Sequence, residues 1–162
     1  MWIGKTPTPD DAGTSSNPPF SFSESGTVFA DDWLMLVKHY SDLIAWQLAD
    51  QFKNDVHRLL QNSTEAWNNF RYRSQLLDAT ASVTANIVEG FLRFSPGEFR
   101  KFIDYSVASL GEAETRLKDG IALGYFTAQS CEHAFRLARR CLTACIRLKQ
   151  SQSRITPRGR RR

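Results

Sequence analysis

A chain of 162 residues with 21 Lys and Arg against 17 Asp and Glu carries a formal charge of only +4, and 41% of its residues are apolar. That is the length of one domain, and no stretch approaches the roughly 18 consecutive apolar residues of a membrane-spanning helix. Three Cys exclude a disulfide scaffold, and the first eleven residues lack the apolar segment of a secretory signal, so a cytoplasmic protein with no membrane association is expected.

Residues 1–30 hold Pro7, Pro9, Pro18 and Pro19 among Gly, Ser and Thr, with no sustained apolar period, and read as a disordered N-terminal extension. From residue 31 to 150 the apolar period is helical throughout, and strand-type alternation is absent. A first helix starts near Asp31 or Asp42 and runs to Gln61, with Ala45, Leu48, Phe52, Val56 and Leu59 at three- and four-residue steps. A second covers about Asn69 to Phe91, with Phe70, Leu77, Ala81, Thr84, Val88 and Phe91 on one stripe and Leu76, Val83 and Ile87 beside it. So wide a stripe implies burial on more than one side.

The third helix has the clearest start. Ser95-Pro96-Gly97-Glu98 places a capping Ser before Pro at the first helical position, with Glu three residues after the cap. Phe99, Ile103, Ser106, Leu110, Ala113 and Leu117 then follow at steps of four and three, a heptad-like seam with small residues that let a neighbour approach. Gly124 ends it, and Thr127 caps a fourth helix to about Lys149, with Cys131, Ala134 or Phe135, Ala138, Leu142, Cys145 and Leu148 inward. Four helices with short connections give an all-α, up-down-up-down four-helix bundle over residues 31–150. Residues 151–162 hold five Arg with Pro157 and Gly159 and read as a flexible Arg-rich tail.

Convergent catalytic groups are not visible. His39, His57 and His133 form no HxxxH or HExxH pair, so no metal is expected. Cys131, Cys141 and Cys145 sit at helical spacing with core residues and read as buried thiols. Glu89, Glu112 and Glu114 have no nucleophile or base at readable spacing, and the glycines form no phosphate loop, so neither an enzyme nor a cofactor is expected.

Charge is distributed unevenly. Residues 31–70 hold three cations and six anions, 71–150 twelve and eight, and the last twelve residues five cations and no anion. On the fourth helix Arg136, Arg140 and Arg147 fall within about 40° of one another at 100° per residue, with Arg139 at the flank. The chain then runs into Arg154, Arg158, Arg160, Arg161 and Arg162. Arg outnumbers Lys 15 to 6, and its planar fork suits phosphate oxygens. An ordinary solvated helix face and a nucleic-acid surface are both compatible with such a stripe.

Three stretches carry a family resemblance. Leu43 to Ala49 (LIAWQLA), after Asp42, resembles a "DL-x-VWQ-x-A" first-helix opening. Gln75 to Gly90 (QLLDATASVTANIVEG), followed by Arg93, resembles a "QL-x-x-A-x-x-SI-x-x-NIAEG" second helix. Glu98 to Phe102 (EFRKF), Ala108 to Leu117 (ASLGEAETRL) and Leu123 to Tyr125 (LGY) resemble "EF-x-x-FL", "GSL-x-E-x-x-x-x-L" and "LGY". These are motifs of the four-helix bundle proteins of the 23S rRNA intervening-sequence family, whose relatives include the accessory variability protein of diversity-generating retroelements. Ala108 stands where Gly is usual, and Asp78 where a cation is common.

The resemblance implies a homopentamer with a basic surface and, in the retroelement relatives, binding to nucleic acid and to a reverse transcriptase. The motif residues Asn86, Glu89, Gly90, Ser109 and Glu112 also have a structural reading. Asn86 and Glu89 can satisfy helix-end groups or bridge to the next helix, and Gly90 permits close approach. Ser109 and Glu112 share a face from which they can reach Glu89, Arg93 or Arg116. The expected protein is thus a non-enzymatic oligomeric bundle that binds RNA or DNA through Arg136, Arg139, Arg140, Arg147 and the tail arginines. The alternative is an adaptor that docks a partner such as a reverse transcriptase.

Overall fold

A computed structural model describes residues 37–153 and the backbone of two short stretches, 28–29 and 155–156. Most of the expected N-terminal extension and of the Arg-rich tail therefore lies outside the described residues. The fold is all-α apart from a two-residue parallel ladder in which Val28–Phe29 (β1) pairs with Ile155–Thr156 (β2). The helices are α1 (Ile44–Gln61), α2 (Thr64–Asn68), α3 (Phe70–Leu92), α4 (Pro96–Ala122) and α5 (Ala128–Ser153).

Local chemistry fixes most of the boundaries. A 3-10 turn at Tyr40–Asp42, capped by His39, precedes α1, and Leu43 occupies the N-cap without a side-chain bond. The first helix therefore starts from the Asp42 side of the two expected positions. Ser63 caps α2 and Asn69 caps α3. Ser95 Oγ accepts from the Glu98 amide, with Pro96 in the first turn, as its sequence predicts. At α5 the exchange is reciprocal: the Ser130 amide donates to Thr127 Oγ1 at 3.0 Å, and the Thr127 amide to Ser130 Oγ at 3.1 Å. Gly124, φ +77°, ends α4 in the left-handed region, and Phe94, φ +50°, does the same after α3 without a glycine's freedom.

The four long helices form a ring of neighbours, α1 beside α3 and α5, and α4 beside α3 and α5, with α2 tucked against α1 and α3. Ser106 Oγ on α4 donates to the Val83 carbonyl on α3 at 2.9 Å, and Tyr72 OH donates to the Arg116 carbonyl at 2.8 Å. Cys141 Sγ on α5 reaches the Ala45 carbonyl on α1 at 3.7 Å, and Asp55 meets His133 on the same pair. In both pairs, higher positions on one helix meet lower positions on the other.

One apolar cluster joins all five helices, with Phe52, Phe99, Leu76, Ile87, Ile103 and Leu117 among its fully enclosed side chains. Burying each is worth about 1.5–3 kcal/mol. Every residue of the predicted α4 seam, Phe99 through Leu117, is buried. On α3 both expected stripes contribute to the core, Thr84 and Phe91 from one and Leu76, Val83 and Ile87 from the other, and only the outer edge of the first is corrected. Leu76, Val83 and Ile87 join Tyr72, Ala79 and Thr80 in the core, whereas Phe70 is 71% exposed and Ala81 also faces outward. The buried face of α3 is set by the two helices flanking it, and α3 meets α4 more closely than α1. On α5, Ala134 rather than Phe135 is enclosed, and the helix continues three residues past the expected limit at 150.

Candidate functional site

Asp55 and His133 show how a polar group is accommodated between α1 and α5. The Asp55 carboxylate is nearly enclosed, accepting from Arg58 Nη2 at 2.6 Å through one oxygen, with His133 Nδ1 3.0 Å from the other. Each carboxylate oxygen thus has a nitrogen beside it, as a buried carboxylate requires. His57 stacks loosely near Trp67, and no group of three or more metal-ligating residues occurs among the described residues. Cys131, Cys141 and Cys145 are free and buried, as their spacing predicts. Burial pushes the Cys131 thiol up, and the hydrogen bond with Cys145, reinforced by burial, pushes Cys141 up. Thiolate chemistry at these two positions is thereby disfavoured.

The family-motif residues lie on α3 and α4 and do not converge on one another across the bundle. Asn86 Nδ2 donates to the Ser82 carbonyl of its own helix at 2.8 Å. Glu89 accepts from Arg93 Nε at 2.9 Å, four residues on, and Glu112 lies 3.6 Å from Arg116, again four residues on. The expected bridging between helices is replaced by pairing along each helix. Gly90 fills the role expected of it: a Cβ there would sit 2.7 Å from both Phe102 Cβ and Phe99 Cδ2, so only glycine allows α3 and α4 this approach. Gly120 does the same near the other end, where a Cβ would fall 2.1 Å from Tyr72 Oη. Burial of that phenol raises its pKa, so it stays protonated and donates to Arg116.

The arginine stripe does converge with something. Arg136, Arg139, Arg140 and Arg147 are all exposed on α5 and line a groove of about 710 Å³ between α5 and the start of α1. Leu43, Ile44, Ala45 and Leu48 make its opposite wall, and Ala144 and Leu148 lie between. Arg58, Arg93 and Arg116 each have a carboxylate on their own helix, whereas none of the four groove arginines has one within 4 Å among the described residues. Asp42 is the one acid on the lining, and its carboxylate is engaged by the His39 amide at 3.0 Å. Four cations against one anion leave the groove at +3. Arg154, Arg158, Arg160, Arg161 and Arg162 lie outside the described residues.

Over residues 41–145 the sequence matches the family described as 23S rRNA-intervening sequence protein. The chain belongs to this family. The matched span takes in the whole of α1, α2, α3 and α4 and most of α5, and it contains all three quoted stretches. Within it the family member carries Arg136, Arg139 and Arg140, while Arg147 and the tail fall beyond it. No curated protein matches the chain. None of the described helices is long and apolar enough to cross a membrane.

Helical angles place Arg136, Arg140 and Arg147 on one face with Arg139 at its flank, and say nothing of the wall opposite. Leu43, Ile44 and Leu48 are about 100 residues away along the chain, and periodicity within a helix carries no information about which helix lies opposite. The one local sign was Ile44, an apolar residue left 67% exposed at the opening turn of α1.

Proposed function

We propose that this protein is a non-enzymatic four-helix bundle, up-down-up-down in topology and assembled as a homopentamer, that binds nucleic acid through the α5 groove and the C-terminal arginines. The observation that carries this reading is the set of four exposed arginines, without carboxylate partners among the described residues, gathered along one groove. Cations left without an internal counter-ion in a concave site attract an external polyanion, and guanidinium forks hold phosphate oxygens in pairs. The opposed contacts of α3 with α4 and of α1 with α5 support the topology. Exposed Phe70, Leu92, Phe94 and Leu123 support further burial between copies.

The test is a binding isotherm of the full chain on labelled RNA at several salt concentrations. Phosphate contacts release counter-ions, and the four groove arginines alone account for a slope of about −3 in log affinity against log salt, steepened by the tail. An affinity independent of salt overturns the reading. Removing residues 151–162 separates the tail's share from the groove's. Light scattering tests assembly: a pentamer has five times the 18.4 kDa of the chain.

A further inference from the structure

The groove has two chemically different walls, and this distinguishes between the forms a nucleic acid can take. Resting on the phosphate-binding reading above, we propose that the groove is a single-strand site, with phosphates on the arginine wall and unstacked bases against the apolar wall opposite. A duplex keeps the faces of its bases stacked inside and offers a protein surface its phosphates and sugars, with base edges only at the floor of its grooves. Such a ligand engages the arginines and leaves the apolar wall without a role. In a single strand each base has an apolar face free to pack; proteins that hold such strands pair a cationic track with aromatic platforms, and here the apolar surface beside the track is aliphatic, offered by Ile44.

The dimensions agree with this assignment. From Arg136 to Arg147 the helix rises about 16 Å, a tract for a few phosphates of one strand. The opposite wall presents Ile44, 67% exposed, with Leu43 and Leu48 behind it, so a base laid there covers apolar surface that the chain itself leaves open. Thr143, between the arginines, donates its hydroxyl proton to the Arg139 carbonyl at 3.0 Å, so the phosphate donors on this wall are the guanidinium groups. Asp42, its carboxylate held by the His39 amide, places a fixed negative charge on the lining and repels phosphate from that part of the groove.

The experiment compares the full chain on a fluorescein-labelled oligouridylate of about 15 nucleotides, a length within the usual range of single-strand sites, and on a duplex of equal length at the same salt. The single strand is expected to bind at least about tenfold tighter, the difference that roughly 1.4 kcal/mol of base contact supplies. Ile44→Ser, at an exposed position that leaves the melting temperature unchanged, is expected to weaken the single strand about three- to tenfold, the effect of losing a few tens of Å² of apolar contact, and to leave the duplex unaffected. Arg136→Ala with Arg140→Ala weakens both probes. Equal or tighter binding of the duplex, or an Ile44→Ser variant that alters neither probe, overturns the single-strand site while the phosphate reading stands. Failure of both probes to bind, or indifference of both to the arginine substitutions, overturns the phosphate reading as well.

Discussion

The α3–α4 pair and the α1–α5 pair belong to one bundle and differ in how their helices meet and where their cations gather. Along α3 and α4 each motif carboxylate has a cation one turn away on its own helix, Glu89 with Arg93 and Glu112 with Arg116. At Gly90 the α3 backbone packs directly on Phe99 and Phe102 of α4, and Gly120 makes room for Tyr72. At the α1–α5 pair the helices leave a groove, and its four arginines have no carboxylate in reach among the described residues. Arg71, Arg73, Arg100, Lys101 and Lys118 on α3 and α4 also have no ion pair among the described residues, so what sets the groove apart is that its four cations line one concave surface. The family motif therefore marks the tightly packed side of the molecule, and the proposed binding chemistry lies on the other.

The largest effect that separates the two sides is expected from Arg136→Glu combined with Arg140→Glu. Two lost phosphate contacts and two new repulsions lower RNA affinity on the order of a hundredfold at low salt, with no change in melting because both side chains are exposed. A parallel loss of melting temperature would place these arginines in the packing instead. On the opposite side, Gly90→Ala forces a methyl against Phe99 and Phe102, and overpacking of this kind lowers stability by about 1–3 kcal/mol. Denaturant unfolding reads this directly, and binding of the folded fraction is expected to be unaltered.

Smaller effects refine the contrast. Asp55→Ala removes the acceptor shared by Arg58 and His133, both of which can turn to water, and costs about 1 kcal/mol in urea unfolding. Phe94→Gly relieves a left-handed backbone at an exposed position and is expected to raise stability by about 1 kcal/mol, seen as a higher thermal midpoint. Glu89→Gln breaks a surface pair and shifts stability by less than about 0.5 kcal/mol; a loss of several kcal/mol there would show that the motif holds the fold through this carboxylate.

Legibility followed the range of the forces involved. The α4 seam was readable to the residue because its cap, its apolar steps and its Gly124 terminator are all local. The α5 arginine face was readable for the same reason, since helical angles place Arg136, Arg140 and Arg147 together without reference to anything else. The extra helix α2 escaped notice because five residues are too few to show a period, although Ser63 marks its cap. On α3 the wide apolar face was readable, with Leu76, Val83, Thr84, Ile87 and Phe91 all buried, but where it ends depends on α1 and α4, which leave Phe70 and Ala81 outside. The groove's apolar wall was out of reach altogether, because it is a relation between distant segments.

That distance bears on the order in which the molecule is built. Ser106 reaches Val83 across 23 residues, so α3 and α4 can close as a hairpin with little loss of chain entropy. Cys141 reaches Ala45 across 96, and the two walls of the groove meet only when the chain's distant halves come together. Loop-closure entropy favours local pairing over remote pairing, so the groove is expected to form after the α3–α4 hairpin. A strand seated in it bridges the two segments whose contact is completed later. Occupancy should then slow unfolding at that seam first, seen as amide hydrogens of α1 and α5 gaining protection while those of α3 and α4 change little.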